Sequence, residues 1–172
     1  MYDYLARKVK ISVILKVLHK LKMTLEVGQK VPDFRIPNQE GKLIDLENIK
    51  SKYLILFFYP KDNTPGCTIE ACSFRDNYKK LKELGAEIFG ISSDTVESHK
   101  NFALKYDLPF TLLSDKGGNL RDDLYVPKAF GIFPGRSTYI LDKKGNILFK
   151  YTNLLNGKSH VTESISFLKS LT

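Results

Sequence analysis

The sequence predicts a single α/β domain in which helices flank a central mixed sheet, with a hairpin on its N-terminal side. Strand-like and helix-like segments alternate along the chain, and a hairpin and a helix complete the series. Residues 54–58 form an uninterrupted apolar run, which is typical of a strand covered on both faces. With 172 residues and no evident linker or internal repeat, the chain is long enough for one self-sufficient core.

The first half of the domain is expected to contain a hairpin, a buried strand and a long helix. Residues 34–36 and 43–46 flank the turn sequence Asn-Gln-Glu-Gly, which favours a hairpin. The buried strand covers residues 53–59 and ends at a proline. The helix is predicted over residues 68–84, with Gly85 as its C′ residue, because apolar side chains recur on one helical face.

The second half alternates strand and helix before the final hairpin and helix. The expected strands are residues 87–91, 110–113, 137–141 and 146–151. Asp94 is expected to cap a helix over residues 95–106, with Glu97 completing a capping box, and Ser159 is expected to cap the last helix. Other aspartates interpreted as cap or turn residues are Asp115 and Asp142.

The first 22 residues differ from the rest of the chain in charge. They hold six basic side chains against one acid, Asp3, and so carry much of the formal net charge of +8. Apolar residues recur there at helical spacing, but the longest uncharged apolar run, 11–15, is too short for a membrane span. Three interpretations stay open: a stretch upstream of a true start at Met23, an organelle transit segment, or a membrane-surface helix. The domain itself is predicted over residues 23–172.

The remaining composition narrows the function classes. Beyond residue 22 both signs of charge are interspersed, so nucleic-acid binding is not expected. Two cysteines cannot form a disulfide framework, and they indicate a reducing compartment. We therefore expect a cytoplasmic protein, or a plastid protein if residues 1–22 are a transit segment. No metal or cofactor is expected, since the histidines lie far from the cysteines and are interpreted as surface or capping residues; they are His19, His99 and His160.

Both cysteines of the chain fall within one short segment after the buried strand. Cys67 follows a Pro-Gly turn, at the point where a helix is expected to begin. The positive end of the helix dipole and the unpaired N–H groups there favour a thiolate, which is the reactive form. Cys72 follows five residues later, which is not the C-x-x-C spacing of general thiol–disulfide oxidoreductases.

The same segment resembles a known family. Pro60-x-x-x-Thr64-x-x-Cys67 resembles the active-site motif of the peroxiredoxins, thiol peroxidases on a thioredoxin fold. The longer string TPGCTIEACSFRD, which includes Cys72, resembles the peroxiredoxin Q or bacterioferritin comigratory protein branch. Residues 135–139, GRSTY, resemble the segment that supplies the active-site arginine in that family.

This resemblance extends from about residue 24 to the C-terminus and implies a thioredoxin-like fold with thiol-dependent peroxidase activity on hydrogen peroxide and organic hydroperoxides. It makes Cys67 the peroxidatic cysteine, which becomes a sulfenic acid, and Cys72 the resolving cysteine that forms an intramolecular disulfide with it. Thioredoxin or a similar dithiol would then reduce the disulfide. A monomer is expected, because members of this branch are often monomeric.

The resemblance also implies roles for neighbouring residues. Arg136 would stabilise the thiolate and polarise the O–O bond, and the Thr64 hydroxyl would bind the peroxide oxygens. Pro60 would shape the loop and shield the thiolate from water. Glu70 and Arg75 are expected to supply a supporting polar network.

The cysteine spacing implies that the helix must move. Residues i and i+5 of a regular helix have Cα atoms about 8.7 Å apart, whereas a disulfide needs them within about 7 Å. The start of the helix must therefore open before a bond between the two cysteines can form. A non-enzymatic alternative stays open at this point, in which the chain is a redox-sensing or membrane-surface interaction module with reactive thiols.

Overall fold

The computed structural model describes residues 25–129 and 131–171, and the expectations for residues 1–22 and Met23 lie outside that range. The strands are β1 (Arg35–Pro37), β2 (Leu43–Asp45), β3 (Tyr53–Phe58), β4 (Ala86–Ser92), β5 (Thr111–Ser114), β6 (Ser137–Asp142) and β7 (Ile147–Thr152). The helices are α1 (Pro65–Asp76), α2 (Tyr78–Glu83), α3 (Val96–Lys105), α4 (Asn119–Asp123) and α5 (Gly157–Ser170), with a 3-10 turn at Leu46–Asn48. Among the described residues, every helix is too short or too polar to span a bilayer.

A five-stranded mixed sheet in the order β5-β4-β3-β6-β7 forms the centre of the domain, and β1 and β2 form a separate antiparallel hairpin. The predicted α/β architecture, with its thioredoxin-like sheet and N-terminal hairpin, is thereby confirmed. Strand β3 runs parallel to β4 and antiparallel to β6, so the C-terminal end of β3 lies beside the beginning of β6.

Strand β3 is buried on both faces, as its apolar run predicts. Ile55 and Phe57 belong to one core, in which Phe57 stacks on Phe74 of α1 with ring centroids 4.3 Å apart. Leu56 and Phe58 belong to a second core on the opposite face of the sheet. The alternation of strand side chains thus joins two hydrophobic layers through one central strand.

The long helix predicted over residues 68–84 is wrong in two respects. It begins earlier, at Pro65, which occupies a first-turn position where its missing N–H costs nothing. It is also divided at Asn77, whose side-chain amide donates to the Ser73 carbonyl at 2.9 Å. This local bond competes with helix continuation and separates α1 from α2. Gly85 does adopt the positive φ, +85°, expected of a residue that follows a helix.

Two predicted helix caps are also wrong. Thr95 rather than Asp94 caps α3, because its hydroxyl accepts from the Ser98 amide at 3.2 Å. Asn156 rather than Ser159 caps α5, since its side-chain oxygen accepts from the Ser159 amide.

The other two aspartates act as predicted, one at a cap and one at a turn. The Asp142 carboxylate accepts from the Lys144 and Asn146 amides in the β6–β7 turn. Asp115 accepts from two amides of α4, a short helix that the apolar pattern does not predict.

Candidate active site

Cys67 lies in the first turn of α1, directly after the loop that leaves β3. Thr64 occupies the N-cap position with an extended backbone, and Pro65 begins the helix. Within the described residues the Thr64 side chain makes no cap bond; its hydroxyl instead donates to the Lys61 carbonyl at 3.0 Å. The hydroxyl oxygen therefore keeps its lone pairs for an incoming donor. The Cys67 side chain is almost fully buried, with 2% of its surface exposed, and Pro60 is half-buried at the start of the loop.

Arg136 contacts Cys67 from the neighbouring strand. Because β6 pairs with β3 up to Ser137 and Phe58, the residue before Ser137 reaches the start of α1. Arg136 Nη2 lies 3.4 Å from Cys67 Sγ, and Nη1 donates to Glu70 Oε2. Burial opposes the charge on Arg136, but Glu70 and Cys67 outweigh it and raise the pKa of the guanidinium. The contact places a permanent positive charge against the sulfur.

Glu70 lies one turn after Cys67 and is completely buried. Burial raises the pKa of its carboxyl group to about 8, against the opposing effect of Arg136 and, more weakly, of Arg121. One carboxyl oxygen, Oε2, accepts from Arg136, whereas Oε1 has no hydrogen-bond partner among the described residues and lies 3.8 Å from His160 Nδ1. Glu70 therefore holds a proton more tightly than an ordinary carboxyl group does, close to the thiol.

His160 is buried behind Glu70, so the prediction that it is a surface or capping residue is wrong. Its Nε2 donates to the Asn153 carbonyl at 2.9 Å, which leaves Nδ1 to accept from the Thr138 hydroxyl at 2.8 Å. Burial lowers the pKa of His160 to about 4, with Arg136 as a further opposing charge. The ring is thus neutral and acts as a fixed hydrogen-bond link between β6, α5 and the preceding loop.

The beginning of α5 packs directly on the beginning of α1. A Cβ atom on Gly157 would lie 2.8 Å from the Glu70 Cβ and 3.1 Å from the Gly66 carbonyl oxygen. Only a glycine lets the two helices approach this closely. This contact explains how Glu70 becomes fully enclosed although it belongs to the first turns of a helix.

A second buried polar cluster anchors the loop between β3 and α1. Asp62 Oδ1 accepts from the Tyr59 hydroxyl at 2.7 Å, and Oδ2 accepts from the Ser98 hydroxyl at 2.7 Å. His99 lies between acceptors, with Nδ1 2.9 Å from Asp62 Oδ2 and Nε2 3.1 Å from the Leu113 carbonyl. The Leu113 carbonyl requires Nε2 to be a donor, and Nδ1 also lies 3.4 Å from the Tyr59 hydroxyl. His99 is therefore a buried partner of Asp62 and not a surface residue.

Asp94 belongs to this cluster rather than to a helix cap. Its Oδ2 accepts from the Asp62 amide at 2.8 Å and from the Ser92 hydroxyl at 2.6 Å. The loop that leads to Cys67 is therefore tied to the end of β4 as well as to α3.

The remaining predicted site residues lie farther along α1. Arg75 does not join Glu70: its Nη1 donates to the Tyr106 carbonyl at 2.8 Å, and Nε donates to Asp76. Cys72 is half-buried, and both cysteines are free thiols within one continuous helix. The structure therefore brings Cys67, Glu70 and Arg136 into contact and leaves Cys72 on the same helix.

Four buried polar residues around the site are not among the residues predicted from the sequence, and the signals that could have found them differ. Asp62 falls inside the motif beginning at Pro60, so its position in that loop was a usable signal. His99 and His160 pair with residues distant along the chain, which sequence spacing does not reveal. Arg121 lies buried in α4, a helix too short to produce an apolar period.

The sequence of this chain is similar to a known protein family and to proteins within it. Residues 27–150 match the AhpC/TSA family. A chloroplastic peroxiredoxin Q of Populus jackii is 50% identical over 145 residues, which cover 84% of this chain and 68% of that protein.

Solved structures agree with this match. Peroxidoxin BcpB from Mycobacterium tuberculosis is 31% identical with a TM-score of 0.80, over 86% of this chain and 99% of that one. Bacterioferritin comigratory protein of Xanthomonas campestris, studied for alkyl peroxide reduction, is 28% identical with a TM-score of 0.77, over 85% and 99% respectively.

Proposed function

The chain belongs to the AhpC/TSA family and is a thiol-dependent peroxidase of the peroxiredoxin Q type, and from this premise we propose which residues perform the reaction. Cys67 is the peroxidatic nucleophile and Cys72 is the resolving cysteine. The observation that carries this assignment is the 3.4 Å contact between Arg136 Nη2 and the buried Cys67 sulfur. That contact supplies both a thiolate partner and a cation for the peroxide oxygens.

In the first step the Cys67 thiolate attacks one peroxide oxygen. A new S–O bond forms to the attacked hydroxyl oxygen as the O–O bond breaks, so that Cys67 is left as a sulfenic acid. The second oxygen leaves as hydroxide or alkoxide and becomes water or an alcohol by taking one proton from solvent, which balances the proton released when the thiol ionised. Arg136 stabilises the negative charge that moves from sulfur to the leaving oxygen. Thr64 accepts a hydrogen bond from the peroxide, because its own proton is directed to Lys61. Pro60 limits access of water at the loop entrance.

In the second step Cys72 attacks the Cys67 sulfur, and the two sulfurs join as water leaves. The continuous helix from Pro65 to Asp76 holds the cysteines too far apart for this bond. We therefore propose that α1 opens after Cys67 is oxidised. An external dithiol of the thioredoxin kind then reduces the disulfide, and the helix re-forms.

Peroxide consumption by cysteine variants tests the assignment. Wild-type protein with a dithiol reductant should turn over hydrogen peroxide and an alkyl hydroperoxide repeatedly. Cys67→Ser should consume neither, because it lacks the nucleophile. Without any added thiol, Cys72→Ser should consume about one equivalent of peroxide and stop at a sulfenic acid that dimedone labels, because this sulfenic acid has no internal thiol partner. Undiminished peroxide consumption by Cys67→Ser would overturn the proposal.

The relatives support one of the two cellular locations that the sequence leaves open. The peroxiredoxin Q of Populus jackii is named chloroplastic, which favours the plastid alternative over the cytoplasmic expectation. We propose a plastid location, with residues 1–22 as the directing segment. The full chain fused at its C-terminus to a fluorescent protein should enter plastids, and the same fusion without residues 1–22 should stay outside; entry by the shortened fusion would contradict the role of that segment.

The monomer expectation also remains a proposal. Light scattering on reduced and oxidised protein over a range of concentrations should give the mass of one chain. A mass of two chains that persists on dilution would replace it with a dimer.

A further inference from the structure

Arg121 is a buried cation that no step of the proposed reaction uses. It belongs to the short helix α4, and 4% of its surface is exposed. Its Nη2 donates to the Tyr59 carbonyl at 2.6 Å, and its Nη1 donates to the Gly135 carbonyl at 2.8 Å. The guanidinium also lies over the Phe58 ring, 5.6 Å from its centroid. One planar group thus holds two chain segments together.

The two carbonyls belong to the segments that carry the reactive groups. The Tyr59 carbonyl precedes Pro60, where the loop to Cys67 begins, and the Gly135 carbonyl belongs to the peptide bond that leads into Arg136. The β3–β6 ladder ends at the pair of Phe58 with Ser137. Immediately beyond it, Arg121 replaces the missing strand-to-strand bonds with a bridge of its own.

The surroundings of Arg121 fix this bridge in place. The Asp115 carboxylate accepts from the Leu120 and Arg121 amides, which anchors α4. A Cβ atom at Gly135 would lie 1.7 Å from the Pro127 carbonyl oxygen, so the peptide that receives Nη1 is closely confined. Both ends of the bridge are therefore rigid, and the planar fork of an arginine can satisfy two acceptors that a single ammonium group cannot.

The charge of Arg121 also reaches the site. Burial lowers the pKa of Arg121, while Asp115, Asp122 and Cys67 act in the opposite direction and favour its charged form. The same guanidinium helps to stabilise the ionised form of Glu70. A negative sulfur at Cys67 is thus favoured by two buried cations, one in contact and one behind the backbone.

We propose that Arg121 is a positioning residue for the peroxidase reaction, which clamps the loop carrying Cys67 to the strand end carrying Arg136 and adds positive charge behind the thiolate. This inference rests on the proposed roles of Cys67 and Arg136. The two hydrogen bonds of the Arg121 guanidinium position the loop and the strand end, whereas its charge favours the Cys67 thiolate. A lysine keeps the charge but cannot make both hydrogen bonds, so conservative substitution separates the two effects.

Arg121→Lys and Arg121→Met, each in a Cys72→Ser background, provide the test. The rate of sulfenic acid formation reports the geometry, and the pH dependence of Cys67 alkylation reports the charge. Arg121→Lys should keep the alkylation profile of the Cys72→Ser parent but react with peroxide at least about tenfold more slowly, because small displacements of reacting groups are costly. Arg121→Met should be slower still and should need a higher pH for alkylation. The matched controls Arg35→Lys and Arg35→Met change an exposed arginine of β1 and should behave as the parent.

Two outcomes would overturn the inference. One is a folded Arg121→Lys protein that forms sulfenic acid at the parental rate, and this variant decides the question even if Arg121→Met does not fold. The other is a loss of thermal stability in both variants with an unchanged peroxide rate and alkylation profile, which would make Arg121 structural only. Failure of the proposed function is distinguishable, since it would appear as peroxide consumption by Cys67→Ser with Arg121 intact.

Discussion

Glu70 and His160 are neighbouring buried groups whose ionisation responds to pH in opposite ways. Folding raises the pKa of Glu70 from 4.5 to about 8, so the folded state binds the extra proton in that interval and stability falls as pH rises. Folding lowers the pKa of His160 from 6.5 to about 4, so the unfolded state binds the extra proton and stability rises with pH. The two effects oppose one another up to pH 6.5, above which Glu70 acts alone.

Replacing Glu70 with glutamine should remove this alkaline loss. Between pH 6.5 and about 8 the free energy of unfolding of the wild type should fall by about 2 kcal/mol through Glu70. Urea unfolding of reduced protein at the two pH values measures this fall in the free energy of unfolding. The fall should be correspondingly smaller in Glu70→Gln. Glu163→Gln, at an exposed position of α5, is the matched control and should retain the wild-type decline. Equal declines in Glu70→Gln and the wild type would contradict the assignment.

At this scale, local motifs identify some site residues and long-range contacts determine the others. Cys67, Thr64 and Pro60 stand in one short string, so their shared position at a loop–helix junction is visible in the sequence. His160 instead becomes buried because α5 packs on α1 through Gly157, a contact between segments far apart in the chain. The periodicity of charge or hydropathy along the sequence does not predict this contact between the two helices.

The loop between β3 and α1 depends on the buried Asp62–His99 pair. Burial alone would raise the pKa of Asp62, but the hydrogen bond and charge of His99, with bonds from Tyr59 and Ser98, lower it below the ordinary value. A carboxylate with a lowered pKa stabilises the folded state above its unfolded pKa, and this stability is lost as pH falls through the folded pKa. The loop should therefore be firmly held at neutral pH.

Asp62→Asn should weaken this loop while keeping nearly the same shape. Removal of one charge from a buried pair is expected to lower the free energy of unfolding by about 3 kcal/mol at neutral pH. Peroxide reactivity should fall too, because the loop positions Thr64 and Cys67. The free energy of unfolding, measured by chemical denaturation at decreasing pH, should differ less and less between Asp62→Asn and the wild type as Asp62 becomes protonated. Asp123→Asn, an exposed change in α4, serves as the control, and a gap that stays constant with pH would contradict the role of the charge.

Helix α1 is held at both ends, and each anchor opposes the opening that the proposed disulfide formation requires. Near its start, Glu70 binds Arg136; near its end, Phe74 stacks on Phe57 and Arg75 donates to the Tyr106 carbonyl. A helix over this region is predictable from its apolar face. Its end at Asn77 is not, because a single side-chain bond to Ser73 decides it.

Arg75→Ala should make α1 easier to open. Loss of the bond to the Tyr106 carbonyl should lower the cost of opening by about 1 kcal/mol, which corresponds to about fivefold faster disulfide formation where opening limits the rate. Acid-quenched mass spectrometry after one equivalent of peroxide measures the disulfide directly. Arg35→Ala is the control for loss of an arginine. Slower or unchanged disulfide formation in Arg75→Ala would show that this anchor does not restrain opening.

The whole molecule combines a buried central sheet with a helix that, in the proposed reaction, has to open. The alternation of strands and helices along the sequence predicts this fold class. The apolar run of β3 adds that this strand is central, because a strand covered on both faces must be apolar on both. The convergence of β3, α1, β6 and α5 on one thiol is set by topology, namely by the antiparallel pairing of β6 with β3. The family resemblance, rather than element order, is what directs attention to Arg136 before the fold is known.

Hydrogen exchange on the oxidised protein tests this division between sheet and helix. In the disulfide form, amides of Pro65–Asp76 should exchange much faster than in the reduced protein, because the Cys67–Cys72 bond is incompatible with that helix. Amides of β3 and β4 should keep their protection, since the core on the far face of the sheet does not involve α1. Cys72→Ser treated with one equivalent of peroxide should retain helix protection, because sulfenic acid alone imposes no such constraint. If the oxidised wild type protects Pro65–Asp76 as well as the reduced protein does, the two cysteines do not pair within one chain and the opening of α1 is not part of the reaction.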